Sequence, residues 1–240
     1  YRYDGVAVDS GAVMVWERSN TSAPFGDVQA VKLVHPSGQA KDYLGFGNPS
    51  ISNDGLTLVA GAHGTGGGAV IVWERPSRGV SFNSKLAFQL GKDVASTYLG
   101  QSGATISGNG LVVAAGDHYA YLGGSSDYGA VLVWRRPRRE ISFENIEPIF
   151  LTDPYARNGD YLGHGRIGMS ADTLAIAAGA YGKERDTVSD TYSGALLVWE
   201  FPVNFSCPPN YAGQECRPCP ATCGEGTKCD DGYYGSGECV

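Results

Sequence analysis

The chain has 240 residues, 35 of them Gly, with 18 Lys plus Arg against 25 Asp plus Glu for a net charge of −7. Glycine at about twice its usual ~7% and a charged share of 18% against the ordinary ~25% argue against long helices, and no triplet Gly period supports a collagen. A hydrophobic share of 42% excludes a disordered chain, the single basic run Arg135 to Arg139 in an acidic chain argues against nucleic-acid binding, and no apolar stretch approaches the ~20 residues of a membrane span.

Taken in chain order, the first legible element ends in the hexapeptide GAVMVW, Gly11 to Trp16. It returns as GAVIVW (Gly68 to Trp73), GAVLVW (Gly129 to Trp134) and GALLVW (Gly194 to Trp199), so all four Trp residues are one position seen four times. The spacings of 57, 61 and 65 residues define the repeat, and the growth reflects insertions such as Lys183 to Thr191. After each of the first three hexapeptides comes a variable segment, VQAVKLV from Val28, KLAFQL from Lys85 and EPIFL from Glu147. Then follow Tyr43-Leu44-Gly45, Tyr98-Leu99-Gly100 and Tyr161-Leu162-Gly163, each leading into a strand of small residues. The unit closes with an apolar run ending in Ala-Gly: LTLVAGAHG from Leu56, LVVAAGDHY from Leu111 and TLAIAAGAYG from Thr173. Asn53-Asp54-Gly55 and Gly108-Asn109-Gly110 are turns before the first two.

β-Branched and aromatic enrichment, short lengths and Gly punctuation make these segments strands, four per repeat, as in a propeller blade. A β-solenoid or a sandwich is the alternative architecture. The Trp positions are read as core. The pattern YLGFGNPSISNDGLTLVAGAHGTGGGAVIVWE resembles the FG-GAP repeat, the blade of integrin-α-type β-propellers. Leu44-Gly45-Phe46-Gly47 corresponds to its Phe-Gly half and Ala60-Gly61-Ala62-His63 to its Gly-Ala-Pro half, with His in place of Pro; Gly116-Asp117-His118 and Gly179-Ala180-Tyr181 depart similarly. The resemblance implies an all-β propeller over residues 1–203, with blades ending near 16, 73, 134 and 199. About three and a half blades are present, half of a seven-bladed ring that would need roughly 420 residues. The chain is therefore expected to be part of a longer protein.

Residues 204–240 change character, with six Cys spaced C-x8-C-x2-C-x3-C-x5-C-x9-C among many Pro and Gly. This is a small disulfide-stapled module, and it places the chain in an oxidising compartment, outside the cell or at its surface. A zinc knuckle at Cys216-x2-Cys219 is the alternative, weakened by having one such pair and no His nearby. CPPNYAGQEC resembles the closing hairpin of an EGF-like domain, and the segment from Cys219 resembles the opening of a second, truncated one. That resemblance implies pairs Cys207 with Cys216, Cys219 with Cys229 and Cys223 with Cys239. Asn20-Thr21-Ser22 and Asn204-Phe205-Ser206 are glycosylation sequons that suit this compartment.

Chemistry is sparsely marked. Gly64 to Ala69 matches G-x-G-x-x-A, but a strand follows where a dinucleotide site needs a helix, so it reads as a hairpin loop. His63 and His118 share a repeat position with Tyr181, and His164 shares one with Phe46 and Gln101, which reads as surface variation. No nucleophile elbow or metalloprotease motif is present, so an enzyme on a propeller scaffold is the least favoured function and no cofactor is expected. Calcium would need oxygens from Asp117 and Asp127 or from Asp186, Ser189 and Asp190, which lack the D-x-D-x-D-G order and read as solvated loop carboxylates. Tyr119, Tyr121 and Tyr128, with Tyr181 and Tyr192, either line a carbohydrate or protein contact surface or pack between blades. The expected function is that of an extracellular structural or adhesive glycoprotein segment that contacts other subunits or matrix, such as a subunit of a filament or surface appendage. A glycan- or ligand-binding receptor ectodomain is the alternative.

Overall fold

In the computed structural model the described residues are 7–18, 20, 22–84, 87–91, 98–120, 128–184 and 193–201, with the backbone of Tyr211–Ala212 and Arg217–Pro218. Within them the protein is all-β, built of antiparallel sheets with helix confined to three single 3-10 turns. Among the described residues no helix is long and apolar enough to cross a membrane.

Each repeat forms one sheet, its strands paired in chain order. The first described sheet holds β1 (Val13–Trp16) and β2 (Ala30–Leu33). The second is a four-stranded meander of β3 (Ser50–Ile51), β4 (Thr57–Gly61), β5 (Val70–Glu74) and β6 (Phe88–Leu90). The third repeats it with β7 (Ala104–Ile106), β8 (Val112–Asp117), β9 (Ala130–Arg135) and β10 (Ile149–Leu151). The fourth has β11 (Gly168–Met169), β12 (Ala175–Ala180) and β13 (Ala195–Glu200). The Ala-Gly run and the hexapeptide pair in one register throughout: Gly61 faces Val70, Gly116 faces Val131 and Gly179 faces Leu196. In the cysteine-rich segment β14 (Tyr211–Ala212) pairs with β15 (Arg217–Pro218), while all six Cys and Asn204 lie outside the described residues.

The turns entering the Ala-Gly strands share one device. Ser52, Ser107 and Ser170 each accept the amide three residues on, from Gly55, Gly110 and Thr173, through their carbonyls. Their hydroxyls accept the amides of Thr57, Val112 and Ala175 at 2.9–3.0 Å. The first two turns place Gly in the left-handed region, as their sequences predict; the third puts Thr173 there at φ 65.

Successive sheets lie face to face, and side-chain alternation along each hexapeptide decides which neighbour is met. Ile71 and Trp73 point back into a core with Val13 and Leu33 of the first sheet. Val70 and Val72 point forward into a second core with Leu132 and Trp134, and Val131 and Val133 point forward into a third with Ile176 and Ala178. Trp73 and Trp134 are buried (2% and 1% exposed), whereas Trp16, at the same position on the first sheet, is 51% exposed.

Two backbone contacts set the distance between sheets. The hexapeptide's leading Gly bridges the next repeat's Leu: Gly11 with Leu44, Gly68 with Leu99 and Gly129 with Leu162. The Gly that ends the Ala-Gly run backs onto the Gly of the next Tyr-Leu-Gly, so that a Cβ on Gly61 would lie 1.8 Å from the Gly100 carbonyl oxygen and one on Gly116 2.0 Å from that of Gly163. Backbone on both sides of the contact leaves no flexible side chain to move aside. Gly116→Ala should therefore cost about 2–4 kcal/mol in urea unfolding, while Gly26→Ala, where a Cβ meets nothing within 4 Å, should change stability by less than about 0.5 kcal/mol. Equal midpoints for the two variants would contradict this packing.

Candidate functional site

The Tyr-Leu-Gly corner of each repeat is held by backbone bonds to the Ala-Gly strand of the same repeat. Gly45, Gly100 and Gly163 donate to the carbonyls of Gly61, Gly116 and Gly179 at 2.9–3.0 Å. This fixes each corner Tyr beside the residue that follows the strand end. Tyr43 stacks on His63 (centroids 5.0 Å, planes 13° apart), Tyr98 meets His118 at 5.5 Å and Tyr161 stacks on Tyr181 at 5.1 Å. Within the third repeat Tyr119 also touches Tyr98 at 4.9 Å; between repeats, His63 reaches Tyr98 at 6.3 Å and Tyr119 reaches Tyr161 at 5.5 Å. The result is a continuous aromatic belt across three sheets. Such ring pairs contribute roughly 0.5–1.5 kcal/mol each beyond their buried area.

Carboxylates support the belt from beneath. Tyr43 and Tyr161 both adopt left-handed backbone (φ 53), a conformation that costs bulky residues of order 1–3 kcal/mol. The residue before each is a buried Asp, Asp42 and Asp160, accepting from the amides of Gln39 (2.7 Å) and Arg157 (2.9 Å). In the third repeat the acid lies across the corner instead: buried Asp117 accepts from the amides of Tyr98 and Tyr119, each at 3.3 Å.

His118 lies at the centre of the belt, 3% exposed, between Tyr98, Tyr119, Tyr161 and His164. Burial holds its pKa well below the ordinary 6.5, at about 4, with repulsion from His164 and His63 adding to the effect. Burial also lowers the pKa of His63. Surface variation is thus the wrong reading of His118, which is a neutral packing residue, whereas His164 is exposed, 4.5 Å edge-on to His118.

Beside the belt, the residues after three successive Tyr-Leu-Gly corners converge on an open cavity of about 480 Å³ lined by Phe46, Asn48, Gln101, Ser102, His164 and Arg166. Its apolar and polar side chains come from equivalent positions of three repeats. Asn48 and Gly103 form a parallel bridge below it, and Ser102 donates its hydroxyl to the His164 carbonyl.

Of the tyrosines singled out from sequence, Tyr119 and Tyr181 join through Tyr161, with Tyr181 half exposed. Tyr128 precedes the third hexapeptide, and its carbonyl accepts the Leu162 amide at 3.1 Å. Tyr121 and Tyr192 lie outside the described residues, as do Asp127, Asp186, Ser189 and Asp190. Asn20 is exposed between β1 and β2, its Oδ1 accepting the amides of Ser22 and Ala23 at 2.9 Å.

One constellation escaped the sequence reading. Arg75 stacks over buried Phe82 at 4.3 Å and binds Glu17 of the preceding sheet at 2.5 Å; Arg136 stacks over buried Phe143 at 4.4 Å and binds Glu74 at 2.5 Å. Arg18 stacks over Phe25 at 4.2 Å in the same way. The legible signal was a constant Arg-x6-Phe spacing beginning two residues after each of the first three Trp.

Neither a protein-family profile nor any curated protein sequence matches the chain. Among solved structures the chain is similar to TolB from Acinetobacter baumannii at 15% identity with a TM-score of 0.42, over 72% of this chain and 34% of that one. The chain thus spans about a third of the length of that structure.

The His118 shift carries a pH dependence. Its unfolded imidazole binds a proton near pH 6.5 and its folded one only near 4, so its contribution is complete above 6.5 and is lost as pH falls towards 4, by at most about 3 kcal/mol. His118→Tyr, the residue type of the fourth repeat, should lose less stability between pH 7 and 4.5 in urea titrations than the wild type. Identical losses would show that His118 is not the group responsible.

Proposed function

We propose that this chain is a segment of an extracellular structural or adhesive glycoprotein, a run of FG-GAP-type β-propeller blades followed by an EGF-like disulfide module. It acts through rigid surfaces that contact other protein subunits or matrix, as in a filament or surface appendage. The observation that carries this reading is where the repeat's recurring residues lie. Gly61 and Gly116, the hexapeptide Trp73 and Trp134, and the Arg75–Glu17 and Arg136–Glu74 pairs serve joints between sheets, the arrangement of a scaffold whose faces are held at fixed spacing. The exposed sequon at Asn20 and the cysteine spacing support the extracellular setting.

A second reading, a glycan-binding surface, is favoured by the cavity at the three corners. Phe46 offers a half-exposed ring, and Asn48, Gln101 and Arg166 offer the amide and guanidinium groups that engage hydroxyls.

Both readings are tested with the glycosylated chain immobilised and exposed to matrix glycoproteins and to a glycan array. The scaffold reading predicts matrix-protein binding that survives Arg166→Ala and Phe46→Ala. Loss of binding in those variants, with glycan hits for the wild type, would favour the second reading. No binding to either set would contradict both.

A further inference from the structure

The turn that leaves the last strand of a sheet is closed by a side chain that accepts an amide two residues on. In the third sheet Asp153, past β10, accepts the Tyr155 amide at 2.8 Å through Oδ1, while its other oxygen binds Lys183. His35, past β2, holds the same place in the first sheet: its Nδ1 accepts the Ser37 amide at 3.1 Å and lies 4.0 Å from the Asp42 carboxylate. The turn therefore uses one nitrogen of the imidazole and leaves the other. With Nδ1 accepting, the proton of the neutral ring is on Nε2. Burial lowers the His35 pKa, against the opposing effects of Asp42 and Gln89, which keeps the ring neutral and its Nε2–H a donor. The residue is 4% exposed, and Nε2 is buried without a hydrogen bond. Its role in the turn does not account for that second nitrogen.

His35 lines a cavity of about 560 Å³, within the roughly 300–1,000 Å³ of small-molecule sites. Three successive sheets build it: His35 from the first, Phe88 and Gln89 of β6 from the second, and Glu144, Asn145 and Glu147 from the 3-10 turn and the approach to β10 in the third. Its walls are thus set by the joints inside the stack. Glu144 and Glu147 are exposed, and among the described residues neither carboxylate has a counter-ion or accepts a hydrogen bond. No Lys or Arg lines the cavity among those residues. Phe88, partly buried against the core between the second and third sheets, adds an aromatic face.

These free groups together select a ligand class. A cation would satisfy the carboxylates but offers nothing to the His35 donor. An anion would accept from His35 but meets two carboxylates of its own sign. A hydroxyl both donates and accepts, so neighbouring hydroxyls on one ring give protons to Glu144 and Glu147 and take one from Nε2, with the Gln89 and Asn145 amides serving either way. The carbon face of such a ring suits Phe88.

We propose that this cavity binds a neutral saccharide, the carboxylates of Glu144 and Glu147 accepting from its hydroxyls and His35 Nε2 donating to one of them. The site goes beyond both functional readings, which rest on the joints and on the corner cavity.

The test is saturation-transfer NMR and calorimetry on the whole chain. The methyl glycosides of glucose, galactose, mannose and N-acetylglucosamine are the neutral probes, with acetyl-arginine amide and glucuronate as the charged ones, each up to about 20 mM so that millimolar binding is seen. At least one neutral glycoside should bind, and more tightly than either charged probe. Glu147→Gln, at an exposed position, keeps the shape and removes the charge, and should weaken binding roughly tenfold with an unchanged thermal unfolding midpoint. His35→Asn keeps an oxygen to accept the Ser37 amide but loses the Nε2 donor, and should weaken binding by a similar factor. If His35→Asn does not fold, Glu147→Gln and Glu144→Gln decide the matter. No binding of a neutral glycoside, tighter binding of a charged probe, or binding left unchanged by any of the folded variants overturns the proposal. Matrix binding and the Phe46→Ala and Arg166→Ala variants report on the functional readings, so their failure and failure of this site are distinguishable.

Discussion

Two glycines in backbone contact set the spacing on which the other joints depend. Gly61 lies against Gly100 and Gly116 against Gly163, each pair joining the end of one sheet's apolar strand to the corner of the next repeat. At that separation the hexapeptide Trp reaches the opposing valines, the guanidinium of Arg136 reaches Glu74, and the corner tyrosines come within ring contact of the neighbouring repeat. A methyl group at the contact would push the sheets apart and loosen all three interactions together. The abundance of glycine that marks the composition is thus in part a requirement of sheet-to-sheet distance.

The polar groups at the joints are buried only with partners. Arg136 is among the most buried side chains of the protein, and burial pulls its pKa down while the Glu74 carboxylate opposes that shift. Its Nε donates to the Gly110 carbonyl and its Nη2 to the Thr57 hydroxyl, while Nη1, which binds Glu74, also lies against the Arg139 and Ile141 carbonyls, so the charge is satisfied by backbone as well as by its counter-ion. Such a fully bonded cation contributes more to register than to net stability. It ties the loop after one hexapeptide to the sheet before it and so fixes which face each sheet presents.

Much of the sheet order was legible in the sequence because it was written several times. The hexapeptide, the Ala-Gly run and the Tyr-Leu-Gly corner each recur, and the observed ladders pair them as the repeat predicts, with turns at Asn53-Asp54-Gly55 and Gly108-Asn109-Gly110. The third turn, at Asp172 and Thr173, has no glycine, so its left-handed residue carries no compositional mark. The belt was legible only as a list of equivalent positions. That His63 reaches Tyr98, and that His164 touches both His118 and Tyr181, depends on how the sheets face one another, and single positions carry no trace of that. The Arg-x6-Phe spacing was visible, yet its partner Glu lies some sixty residues earlier, on another sheet. Long-range charge pairs of this kind emerge only once the stacking is known.

Consecutive repeats dock face to face through joints encoded in their own recurring residues. A double-mutant cycle between Arg136→Met and Glu74→Gln, with stability read from urea unfolding, tests it most directly, because the two residues lie on different sheets. Direct contact across the joint predicts a coupling of about 1–3 kcal/mol, with the double variant less destabilised than the sum of the single ones. Additive effects, with coupling below about 0.3 kcal/mol, would place Arg136 and Glu74 out of contact and contradict the joint.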